Sequence, residues 1–209
     1  MAVMGEHLEK KQTSRIETFS DAVFAFAITL LVLNLKNPVL ISGGSLSTVL
    51  LSDWPEFLAL VTSFATILIM WINHHNMFNY IGKADTHLMI LNGAVLLFIV
   101  MTPFTTVLVA TYMLSSNSNV AAAIYSGDFL LTAITWNMFW QYVSKNRRLL
   151  AEDVSHKRVK KIIRQYYIGP GLYAIALSLA YFNGIASIVM VFLVAIFYAV
   201  TASTVKTSG

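Results

Sequence analysis

Arg15, Glu17, Ser20 and Asp21 stand at the head of a stretch that is otherwise largely apolar as far as Leu35. A second polar group, Trp71, Asn73, His74, His75 and Asn76, closes another apolar stretch, and Asp85, His87 and Asn92 open a third. Carboxylates and imidazoles so placed suggest metal binding, acid–base catalysis or proton transfer. Adjacent residues on a helix point about 100° apart, so His74 and His75 cannot face one ion. The chain has no cysteine and no His-Glu-x-x-His pair, so no metal site is expected and a hydrogen-bonded structural cluster is favoured. No Gly-x-Ser-x-Gly elbow, phosphate-binding loop or dinucleotide fingerprint occurs either, and nothing positions a nucleophile. The expectation is therefore a protein that is not an enzyme and needs no cofactor. What survives is a buried carboxylate–histidine group, which in membranes serves as a proton relay or as a polar network between helices.

Those residues need elements to hold them. Of 209 residues, 57% are hydrophobic and 11% charged, and the mean hydropathy is +0.68. Soluble domains carry about 25% charged residues, so the chain reads as an all-α polytopic membrane protein. A membrane-crossing helix needs about 20 mostly apolar residues. Six segments qualify: residues 16–35, 54–79, 87–113, 120–143, 162–182 and 185–205. The first follows a polar segment with no small-residue cleavage site and reads as a retained helix. Pro103 predicts a kink in the third, Gly169-Pro170-Gly171 a break in the fifth, and Asn183-Gly184 a tight hairpin before the sixth. A Gly/Ser-rich loop, ISGGSLS, precedes the second, and one domain over 1–209 is expected.

With six crossings, Lys10, Lys11, Arg15, Lys83, the eight basic residues from Lys145 to Arg164, and Lys206 share one side, and Lys36 alone lies on the other. This asymmetry puts both termini in the cytoplasm of a cell-membrane protein. The net charge of +4 is then orientation charge, and no nucleic-acid partner is expected. The basic loop reads first as a solvated topology determinant and second as a contact for anionic lipid. Asp53, Glu56 and Asp128 fall on the far side, where excess acid would concentrate cations at an outer mouth. No helix carries the spaced arginines of a voltage sensor.

This topology brings Asp21, the His74–His75 region and the Asp85–Asn92 region to one depth, the inner leaflet. Asp21 is expected to meet His74, His75, Asn76 or His87. At 3.6 residues per turn, Arg15, Phe19, Ala22, Phe26, Leu30 and Leu33 form one stripe, with Thr29 at its edge, and Ser20 and Asp21 point to roughly the opposite side. If the polar pair plugs into its own subunit, the stripe is free to face something else.

The string Arg15-x-x-x-Phe19-Ser20-Asp21, continued by AVFAFAITLLVL, closely resembles the first helix of the transmembrane protein 175 family, lysosomal potassium channels and their bacterial homologues. Trp71-x-x-His74-His75 is similar to the end of that family's second helix. The resemblance implies the bacterial single-repeat form. That form is a homotetramer of six-helix subunits conducting potassium passively through a central pore lined by the first helix of each subunit. It implies an apolar constriction at Phe26, then Thr29 and Leu30, then Leu33. Phe26 departs from the isoleucine or leucine common at that position. Arg15, Phe19, Ser20 and Asp21, with Trp71, His74, His75 and His87, would form the structural network that holds the pore helix. The implied partners are K+ and other monovalent cations or protons, further copies of the chain, and membrane lipid. Selectivity would rest on ring diameter, the Thr29 hydroxyls and the outer acids, and would be weaker than in carbonyl-lined filters. The competing expectation is a proton-leak or proton-coupled pathway through Asp21 and the histidines.

Overall fold

The computed structural model describes residues 2–33, 45–152 and 154–206. Among them the chain is helical throughout, apart from turns and one isolated bridge between Ile81 and Leu150. The helices are α1 (Ala2–Leu33), α2 (Leu46–Ser52), α3 (Trp54–Phe78), α4 (Thr86–Tyr112), α5 (Ser118–Ser144), α6 (His156–Ala180) and α7 (Gly184–Lys206). By length and composition, Gln12–Leu33, α3 and α4 are apolar enough to cross a membrane, and Gly184–Val200 forms a shorter apolar stretch. The middle of α5 carries Asp128, and the beginning of α6 is basic.

Local chemistry sets several of the boundaries. Pro55 occupies the first turn of α3, where its missing N–H is not needed. Asp85 caps α4 by accepting from the Leu88 N–H at 2.8 Å. Ser155 caps α6 by accepting from the Arg158 N–H at 3.3 Å. That cap starts α6 at His156, six residues before the expected span, so the second half of the basic loop is helical. Pro170 lies inside an unbroken α6, and the expected break is not formed. Neighbouring helices often compensate a proline in this setting, and α6 is packed along both α5 and α7. Pro103 likewise lies within α4. The helix α2 was not expected. Residues 34 and 35 of the first span, Lys36 and most of the Gly/Ser-rich loop lie outside the described residues.

The central helix is α5, which packs on α4, α6 and α7, whereas α1 packs on α3 and α4. One core joins α1, α3, α4 and α5 through Phe24, Ile67, Leu88 and Trp140; a second joins α5, α6 and α7 through Phe129, Tyr173 and Val191. Two turns meet at one end of the bundle, where the Ala151 N–H donates to the Tyr80 carbonyl and the Gly82 N–H to the Leu149 carbonyl.

Candidate functional site

The helix α1 has two faces. Ser20, Phe24, Ala27 and Leu31 recur at intervals of four, three and four residues and are all buried. This face seats the helix against α3 and α4. The other face is Phe19, Ala22, Phe26, Thr29 and Leu33, all exposed, with Phe26 at 61% and Leu33 at 76%. Leu30 lies at its edge, half-buried, and Arg15 is exposed at the start. The Thr29 hydroxyl donates to the Phe26 carbonyl at 2.8 Å; its oxygen lone pairs remain available as acceptors.

Behind α1 runs a directional chain of hydrogen bonds. His74 Nε2 lies 2.9 Å from Asn92 Oδ1, an acceptor, so the ring nitrogen donates. Asn92 Nδ2 donates to Ser20 Oγ at 2.9 Å, and Ser20 donates to the Ile16 carbonyl at 2.8 Å. The His74 ring stacks on Phe78 and meets Phe24 and Trp136, so its orientation is fixed from three sides. Asp21 takes none of the partners expected for it. It accepts from Trp71 Nε1 at 2.8 Å. His75 instead pairs with Glu17 at 2.8 Å in a more exposed position. The physical reason is placement along α3: Trp71 and His75 stand one turn apart on one side with their rings stacked at 6.2 Å, and Trp71 is the one that reaches Asp21, while His74, about 100° round the helix from His75, points into the core.

His87 stands apart from this network. Its ring lies 6.0 Å from that of Tyr142, beside Asp85. Asp85 accepts from the Tyr142 hydroxyl at 2.7 Å and from Arg148 at 2.5 Å. Partial burial pushes the Asp85 carboxyl up, but the Leu88 N–H, the Tyr142 hydroxyl and the Arg148 guanidinium together hold it below the ordinary carboxylate range. These residues and Lys145 line a cleft of about 330 Å³. The expected placement of His87 in the α1 network is therefore corrected: the extended turn before α4 aims it at α5.

Asp128 is also corrected. It is not at an outer mouth but 6% exposed inside the bundle, accepting from Thr102 at 3.1 Å and Thr105 at 3.3 Å. It lies ten residues into α5, about 15 Å along the helix, and two hydroxyls of α4 offset part of the cost of burying it. Asp53 and Glu56 lie at the α2–α3 junction, both half-buried, with Asp53 between the two helices. The reading of the sequence did not single out Asn92 as the link between α1, α3 and α4. The signal was present, since Asn92 is an amide in an otherwise apolar run. Among the described residues, no three His, Asp or Glu side chains converge as a metal site would require.

The family model described as endosomal/lysosomal potassium channel TMEM175 matches residues 15–103, the part of the chain that contains most of α1, all of α3, most of α4 and the network between them. A potassium channel of Chamaesiphon minutus is 41% identical over 202 residues, 96% of this chain and 100% of that protein. The crystal structure of a lysosomal potassium-selective channel TMEM175 homolog from Chamaesiphon minutus matches with a TM-score of 0.84 and 40% identity, covering 92% of this chain and 98% of that one. The human endosomal/lysosomal proton channel TMEM175 is 36% identical over 99 residues, 44% of this chain and 20% of that protein. An identity of 41% across nearly the whole of this chain and all of its Chamaesiphon minutus relative, carried on the same fold, places this chain in the TMEM175 family.

Proposed function

We propose that the chain is a potassium channel, not an enzyme, and that ions pass passively along the exposed face of α1. The observation that carries this reading is the division of α1 into two faces. The subunit seats one face with packing and a polar network, and leaves Phe19, Phe26 and Leu33 open. A helix held so firmly on one side is suited to present the other to a pore. The relatives named as potassium channels support the ion.

The finer features follow as parts of the same reading. Four copies assemble around the α1 helices. Each contributes six membrane helices (α1, α3, α4, α5, α6 and α7), with both termini in the cytoplasm of the cell membrane. Phe26 forms the constriction and gates by dewetting, with Thr29, Leu30 and Leu33 on the turns beyond. Potassium is the permeant ion, with other monovalent cations admitted less well, and no cofactor takes part.

The test is flux from reconstituted liposomes under a potassium gradient and then a sodium gradient. Potassium flux exceeding sodium flux supports the channel. Phe26→Ala should widen the constriction and raise flux several-fold. Unchanged flux in a folded Phe26→Ala protein would remove Phe26 from the pore.

A proton pathway is the second reading, favoured by the description of the human relative as a proton channel. The hydrogen bonds count against a route through the α1 network. Asn92 is an amide and Trp71 only donates, so neither exchanges protons as a relay member must. Proton flux that disappears in Asp21→Asn while folding is retained would restore that route.

A further inference from the structure

We infer that the first half of α6 is a docking surface for the anionic phospholipid headgroups of the membrane face it enters. The inference rests on the membrane-spanning reading of α6 and adds the chemical class of lipid that the helix recognises.

Lys157, Lys160, Lys161 and Arg164 are all exposed. Their spacing of three, four and seven residues puts them on one face of α6. The ridge they make is about 10 Å long, on the scale of a headgroup layer. Arg158 does not belong to it: its guanidinium lies 6.0 Å over the Tyr80 ring, folded back on the protein. No carboxylate among the described residues is paired with any of the four, and the first turn of α6 contains no acid. Lys157 lies in the first turn, at the positive end of the helix dipole, where a cation is unfavourable until an anion is supplied, and Lys160, Lys161 and Arg164 add like charge on the turns that follow.

The same face then changes character in the order a bilayer requires. Tyr167 is 58% exposed and Ile168 43% exposed, and both continue the ridge one turn further on. Ile175, 51% exposed, continues it two turns beyond. The sequence along one face is thus cations, an aromatic with a polar tip, then aliphatic surface. Tyrosine is enriched at the membrane–water boundary, and basic residues just outside it are drawn to anionic lipid. A purely solvated topology determinant needs the charges but not their alignment with Tyr167 and Ile168.

The test is thermal unfolding of the full-length protein in detergent micelles titrated with phosphatidylglycerol, phosphatidylcholine or inorganic phosphate. Phosphatidylglycerol should raise the midpoint, while equal amounts of the other two should not. The variant Lys157→Gln/Lys160→Gln/Lys161→Gln/Arg164→Gln should need at least about tenfold more phosphatidylglycerol for the same shift. The charge-preserving variant Lys157→Arg/Lys160→Arg/Lys161→Arg/Arg164→Lys should behave as wild type. An equal response to phosphatidylcholine, an equal response to inorganic phosphate, or an undiminished shift in the glutamine variant would each overturn the inference. Should the glutamine variant not fold, wild type in about 0.5 M salt decides: loss of the phosphatidylglycerol shift supports docking, and its persistence overturns it. The readout involves no ion flux. A silent channel therefore leaves this inference standing, and an absent lipid response leaves the channel reading standing.

Discussion

Asn92 uses both ends of its amide, accepting from His74 and donating to Ser20, and so ties α3 and α1 to α4 at one point. Replacing it with leucine strands the His74 donor in a site where His74 is 1% exposed. Asn92→Leu should cost about 1–3 kcal/mol, read as a lowered unfolding midpoint in detergent. Asp128 presents the opposite case. The Phe98 carbonyl lies 3.2 Å from the Thr102 hydroxyl and the Thr102 carbonyl 3.1 Å from the Thr105 hydroxyl, so each single O–H can turn to a carbonyl and removing the carboxylate strands neither. Asp128→Leu should therefore change stability by no more than about 1 kcal/mol in either direction, since a buried charge repays little of its desolvation. A large loss in the same unfolding assay would show that Asp128 holds something beyond these two threonines.

Among the elements, the α6–α7 turn shows how closely the bundle is fitted. Gly184 opens α7, and its N–H donates to Asn119 Oδ1 at 2.8 Å. A Cβ there would come within 2.7 Å of the Ser118 carbonyl oxygen and 2.9 Å of its carbon, both backbone atoms of α5. Gly184→Ala should destabilise by about 1–3 kcal/mol. Gly127, inside α5, has open space where its Cβ would stand, and Gly127→Ala should be neutral or stabilising by up to about 1 kcal/mol. Comparing the two unfolding midpoints separates close approach from helix propensity. The sequence pointed to a turn at Asn183-Gly184 because those residue types punctuate helices. It could not say that the glycine is needed for contact with α5, because that contact joins segments 65 residues apart. The start of α6 was missed for a related reason: hydropathy marks where a helix enters lipid, while the Ser155 cap marks where the helix begins.

At the scale of the whole molecule, Asp85 couples the start of α4 to the end of α5 and the turn beyond it. Its carboxyl is held below its ordinary value of 3.8, so folding favours the ionised form. That contribution is fully present above 3.8 and is lost as the pH falls through the lower, folded-state value. Asp85→Asn keeps a capping side chain but removes the charge. The gap between its unfolding midpoint and that of wild type should stay constant from neutral pH down toward 3.8 and close below it. A gap that begins to close near neutrality would place the coupling elsewhere. Helical class, membrane composition and the division of α1 into two faces were all legible in the sequence. Each follows from local chemistry: apolar length, and a periodicity that the backbone imposes wherever a helix forms. The partners were not legible. That Trp71 and not a histidine meets Asp21, that His87 turns toward Tyr142, and that Asp128 lies inside the bundle depend on how helices far apart in sequence rotate and slide against one another. Packing settles those rotations by burying Phe24, Leu88 and Trp140 together, and no single helix contains the information.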